Sequence, residues 1–122
     1  MKIAFIVEGF RDELRVKKAI EDIIPEVKFL VTNGTRIQEP FKEKVSSYIE
    51  LGYHIILLTD PDQTGNEIAD ILNRRFGLPR IQVDKEEARK LKKGGFEYGI
   101  EHCDPLYLKK CITTYLIDSS LL

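Results

Sequence analysis

Ile3-Ala4-Phe5-Ile6-Val7-Glu8-Gly9 and Ile55-Ile56-Leu57-Leu58-Thr59-Asp60-Pro61-Asp62 are two apolar runs that each end in carboxylates. Apolar runs that are continuous rather than alternating read as strands buried on both faces, as in a parallel sheet covered by helices. If the two strands are neighbours, Glu8, Asp60 and Asp62 meet at the carboxyl edge of one sheet, where open α/β sheets bind their ligands. Acidic groups gathered in that way call for a divalent cation.

Outward from these runs, strands and helices alternate with little slack. After Gly9, the residues Val16, Ala19, Ile20, Ile23 and Ile24 recur at helical spacing until Pro25. Val27–Val31 reads as a second strand and Asn33-Gly34 as a turn. Pro40 suits the first turn of a helix that buries Phe41, Val45, Tyr48 and Ile49 and stops at Gly52. The acid-tipped strand runs from His54 to Thr59. A further helix turns Ile68, Leu72 and Phe76 inward and closes at Gly77, with Pro79 beyond. Ile81-Gln82-Val83 is expected to add a fourth strand. Asp104 caps a last helix with the stripe Leu108, Cys111, Ile112 and Tyr115. The pattern implies one α/β/α domain over residues 1–122, with no repeat or linker.

Composition narrows the function classes. The chain has 122 residues, 43% of them hydrophobic, enough for a core. No apolar stretch approaches the roughly 20 residues that span a bilayer, and the amino terminus lacks a basic-then-apolar leader, so a cytoplasmic location is expected. Cys103 and Cys111 lack CxxC spacing, which indicates neither a disulfide framework nor a zinc site. A net charge of −1 argues against nucleic-acid binding by bulk electrostatics alone. Basic residues nevertheless gather late in the chain. Lys85, Arg89 and Lys93 fall at i, i+4 and i+8 and would line one face of a helix, either as a solvated surface or as a basic rim touching phosphates.

The acids themselves can be read two ways. Pro61 keeps Asp60 out of the helical region, so that Asp60 and Asp62 leave the strand extended and, as alternate residues, point the same way. That places two oxygen ligands on one Mg²⁺, with waters and substrate phosphates completing its octahedron. A single Asp here is equally an N-cap for the next helix; two Asp plus Glu8 on a second strand point to a site. Glu8, crowded by the others, acquires a raised pKa and serves as general acid or base or as a third ligand. Asp12 is a cap or a support of the site. His102 and His54 read as hydrogen-bonding histidines, and Phe96 and Tyr98, beside Gly94-Gly95, either pack or stack on a base.

Val7-Glu8-Gly9-Phe10-Arg11-Asp12 and Thr59-Asp60-Pro61-Asp62-Gln63-Thr64-Gly65 resemble the two motifs of the Toprim domain, shared by type IA topoisomerases, bacterial primases and small nucleases. Thr32-Asn33-Gly34 and Gly99-Ile100-Glu101-His102 resemble the Toprim part of ribonuclease M-five, which matures five-S ribosomal RNA. The resemblance covers about residues 3 to 112. It implies a Rossmann-like, three-layer α/β/α fold with a mostly parallel four-stranded sheet. It also implies Glu8 as general acid or base and metal ligand, Asp60 and Asp62 as metal ligands, and Mg²⁺ or Mn²⁺ as cofactor. Gly9 and Gly65 match the family's loop glycines. Asp12, Asn33 and Glu101 are expected as supporting residues, and Arg11, Lys85, Arg89 and Lys93 as nucleic-acid contacts. Many family members carry a third acid where Thr64 stands here, so a second metal is not implied. The expectation is a stand-alone small Toprim domain, without a tyrosine-bearing topoisomerase domain, a primase zinc module or a maturase carboxyl-terminal domain.

The expected activity is metal-dependent cleavage of a nucleic-acid backbone, with structured RNA as substrate. The alternative is a non-catalytic nucleic-acid or nucleotide-binding module whose protein partner supplies substrate recognition. Asp60-Pro61-Asp62-Gln63-Thr64 also fits the DxDxT pattern of haloacid-dehalogenase phosphatases, but those place it after the first strand with further acids and a lysine downstream.

Overall fold

The computed structural model describes residues 1–34 and 36–122. Three parallel strands, β1 (Ile3–Val7), β2 (Val27–Val31) and β3 (His54–Leu57), form one sheet in the order β2-β1-β3. Helices α1 (Phe10–Ile20), α2 (Glu39–Glu50), α3 (Gln63–Phe76) and α4 (Pro105–Asp118) cover it. β1 is the central strand, and all five of its residues are fully buried.

Alternation along the strands sorts the core into two halves. Ile3, Phe5 and Val7 of β1 and Ile56 of β3 face the cluster built with Val16 and Ile20 of α1 and Leu108, Ile112 and Leu116 of α4. Ala4 and Ile6, with Ile55 and Leu57, face Val45 of α2 and Ile68 and Leu72 of α3. The helix after β1 therefore lies on one face of the sheet and the helix after β3 on the other. The chain diverges at the carboxyl ends of these two adjacent strands, which opens a crevice there. No helix among the described residues is long and apolar enough to cross a membrane.

Two expectations need correction. The fourth strand shrinks to a single parallel bridge between Leu57 and Arg80, held by Leu57 N–H to Pro79 O (2.8 Å) and Ile81 N–H to Leu57 O (2.9 Å). β3 ends at Leu57, and beyond Ile81 the segment is drawn toward α4: Val83 is buried against the α4 side of the core and the Asp84 N–H donates to Tyr107 Oη at 2.8 Å. Nor do Lys85, Arg89 and Lys93 share the face that a helix would give them. Lys85 lies in a turn, and β4 (Arg89–Lys92) pairs antiparallel with β5 (Gly95–Tyr98) in a separate hairpin. Gly94, at φ 86°, takes the left-handed conformation that the tight Lys93-Gly94 turn needs and that a helix interior excludes.

Candidate metal and phosphate site

The β1–β3 pairing carries Glu8 and Asp60 to the same edge. Ile6 pairs with Leu57, Leu58 N–H donates to Ile6 O at 2.9 Å, and one step further Asp60 N–H donates to Glu8 Oε2 at 2.7 Å. Residues 52 positions apart in the chain thus share one hydrogen bond.

Other backbone donors orient the acids. The segment after β5 turns through a short 3₁₀ helix, Ile100–His102, whose amino end faces the crevice: Ile100 N–H donates to Asp60 Oδ1 at 2.8 Å and Glu101 N–H to Asp12 Oδ1 at 2.9 Å. These are orphan donors of a helix start, suited to anionic partners. Asp12 Oδ2 accepts from Gly9 N–H at 3.0 Å, so one carboxylate ties the β1–α1 turn to the 3₁₀ helix. Asn33, at φ 57°, donates its N–H to Glu8 O at 3.0 Å and fastens the loop after β2 alongside.

Asp62 behaves differently. It is the N-cap of α3, with Oδ1 accepting from Gly65 N–H at 2.8 Å. Gly65 is required by closeness rather than by φ, because a Cβ there would stand 1.9 Å from Asp60 O. The buried Thr59 hydroxyl donates to Gly65 O at 2.8 Å and draws the loop tight.

Electrostatics at this edge are unbalanced. Burial, and then the neighbouring Glu8 and Asp62 charges, push Asp60 up to about 7 despite the Ile100 N–H. Burial and the Asp60 charge push Asp12 up to about 7 as well. Glu8 is also raised, chiefly by burial, with Asp62 and Asp12 adding to it. Arg80 supplies part of the missing positive charge, donating to Asp60 O (3.1 Å) and Asn66 Oδ1 (2.9 Å), while its buried Nε has no partner among the described residues. Nothing in the sequence pattern singles out Arg80; its place follows from the single bridge to Leu57.

This donor set fits a hard divalent cation held mainly by water and substrate. Glu8, Asp60 and Asp62 each give one oxygen to a backbone N–H, which fixes the carboxylate plane and leaves the second oxygen for another partner. Among the described residues, no three His, Cys, Asp or Glu side chains form a group that could hold a metal together. Mg²⁺ characteristically takes one or two carboxylates and keeps several waters, so a Glu8–Asp60 pair with Asp62 at the rim suffices.

The remaining sequence candidates scatter around the crevice. Arg11 lies beside it on exposed α1. Lys85 sits over the Tyr98 ring at 4.4 Å and, with Asp62, lines a cavity of about 600 Å³ beside α3. Arg89 covers the Phe96 ring at 4.6 Å and pairs with Glu86 at 3.1 Å. Lys93 is in the hairpin turn. The Glu101 side chain lies 3.6 Å from His102 Nε2, so the Glu101 contribution to the acids is its backbone N–H. His54 Nε2 meets Tyr115 Oη at 2.9 Å and is structural.

A parallel sheet between helices, with acids on adjacent strand ends, is an open α/β fold with its crevice at the carboxyl edge of the sheet. No protein-family model and no curated protein sequence matches the chain. Among solved structures, a small TOPRIM domain protein from Bacillus stearothermophilus superimposes with a TM-score of 0.75 at 21% identity, covering 100% of this chain and 97% of that one. The chain has the fold of that TOPRIM domain protein.

Proposed function

We propose that this chain is a Mg²⁺- or Mn²⁺-dependent enzyme that cleaves the phosphodiester backbone of nucleic acid, a nuclease of structured RNA. The observation that carries this reading is the 2.7 Å link between Glu8 Oε2 and Asp60 N–H at the crevice of a TOPRIM-like fold. The bound cation would polarise the scissile phosphate and stabilise charge on the leaving oxygen. Glu8 and Asp60 would hold it, with Asp62 accepting a hydrogen bond from one of its waters. The Glu8 carboxyl, raised by burial, is suited to carry a proton to or from the reacting oxygen. Asp12, fixed by two backbone donors, holds the turn that presents Glu8.

Glu8→Gln preserves shape and should abolish cleavage of a labelled structured RNA in Mg²⁺ while leaving the circular dichroism spectrum unchanged. Full cleavage by Glu8→Gln would remove Glu8 from the chemistry.

A second reading, a non-catalytic binding module working with a protein partner in the cytoplasm, is favoured by one feature: Asp62 is engaged as the N-cap of α3. RNA binding without products in either Mg²⁺ or Mn²⁺ would select it.

A further inference from the structure

Helix α1 has two faces of different chemistry. Asp12, Val16, Ala19 and Ile20 turn to the sheet and are buried. Arg11, Arg15 and Lys18, at i, i+4 and i+7, share another face and, with Lys90 from the β4–β5 hairpin, line a groove of about 400 Å³. Arg11, Lys18 and Lys90 are exposed and, among the described residues, have no carboxylate within ion-pair distance, in contrast to Lys17, which pairs with Glu13 at 3.0 Å. Arg15 is held in place by donating to Cys103 O at 2.9 Å. The groove sets Arg11, Arg15, Lys18 and Lys90 against the single carboxylate of Glu101, and an added polyanion relieves the repulsion among the surplus cations.

The groove neighbours the acidic crevice. Its wall includes Glu101, whose N–H donates to Asp12 Oδ1, and Asp12 follows Arg11 in the chain. We propose that this groove between α1 and the hairpin is the track on which a phosphodiester backbone lies as it enters the Glu8–Asp60 site. The inference rests on the nucleic-acid reading above and adds the surface and the direction of approach. From Arg11 to Lys18 the helix advances about 10 Å, the axial length of about three phosphates on one strand of a duplex. Three or four cations at that spacing match successive phosphates and carry no base recognition. A chain of net charge −1 can hold a polyanion in this way because a local surplus of positive charge lines the groove.

The test compares the full chain with the triple variant Arg11→Ala/Lys18→Ala/Lys90→Ala, using fluorescence anisotropy over a series of salt concentrations. The probes are a labelled RNA hairpin and a DNA hairpin of the same sequence. A charge-matched control, Lys28→Ala/Lys44→Ala/Arg75→Ala, alters exposed residues of β2, α2 and α3. Removing three phosphate contacts should lower the slope of log K against log [salt] by about 2.7 on a duplex stem, or about 2.1 on a single strand. The control should keep the parental slope. Equal weakening on both probes assigns recognition to the shared phosphodiester, and a larger loss on RNA assigns part of it to the 2′-hydroxyl; either supports the track.

An unchanged slope in the triple variant, or an equal loss in the control, overturns the track while leaving the nucleic-acid reading intact. Failure of the unaltered protein to bind either probe overturns both. Binding that depends on the groove but yields no products in Mg²⁺ keeps the track and removes only the nuclease.

Discussion

The loops after β1 and β3 look alike in sequence: each follows an apolar strand with an acid, a glycine and a helix. In three dimensions they are built by different means. In the loop after β1, Gly9 has an extended φ of −141°, and a Cβ there would meet only Asp12 Oδ2 at 3.5 Å, an ordinary contact. After β3, a Cβ on Gly65, in the first turn of α3, would collide with the Asp60 carbonyl. The first loop is held by a long-range carboxylate, Asp12, and the second by close backbone packing with a local cap. One loop can be tuned; the other is rigid.

The sharpest test of that contrast is Gly65→Ala. Overpacking against backbone cannot be relieved by a rotamer change, so the loss should be about 3 kcal/mol or more in urea unfolding, with metal binding lost as Asp60 shifts. A variant as stable as the parent would erase the distinction between the loops.

The next effect is on pH. Asp12 and Asp60 have folded-state values of about 7, above the unfolded value near 3.9, so the folded protein binds more protons between those limits. Their contribution to stability is therefore fully present below about pH 4 and is lost as pH rises through about 7. Metal-free protein should gain on the order of a few kcal/mol on going from pH 8 to pH 5, and Asp12→Asn should flatten that slope. A thermal midpoint that falls steadily over the same range would contradict the sign.

Smaller still is Thr59→Val, which removes a buried hydroxyl from Gly65 O and should cost about 1 kcal/mol. Gly9→Ala should fall within about 0.5 kcal/mol of the parent, because neither sterics nor φ demands glycine there. Calorimetric melting of both variants completes the comparison.

The same two loops mark how far the sequence could be read. Ile3–Val7 and His54–Leu57 are legible because burial on both faces leaves no polar interruption, and the acids that follow them converge because neighbouring parallel strands in register end side by side. The helices are legible from Val16/Ile20, Ile68/Leu72 and Leu108/Ile112. Residues 80–103 were far less so. Their hairpin strands, Arg89–Lys92 above all, are exposed and carry no apolar period, and basic spacing at i, i+4 and i+8 imitates a helix. The donors that position Asp60 and Asp12 are the backbone N–H groups of Ile100 and Glu101, which no side chain announces. The Arg11/Arg15/Lys18 stripe did have a readable helical spacing, but an even charge balance hides a patch that is local.

At the centre of the account is the claim that Glu8 and Asp60 form one cation-binding pair. Isothermal titration of Mn²⁺ into metal-free protein, alongside Glu8→Gln and Asp60→Asn, tests it most directly. The pair predicts saturable binding near pH 7.5, proton release from the raised carboxyls, and at least about tenfold weaker binding in either variant. Parental affinity retained in both variants, with no protons released, would contradict it.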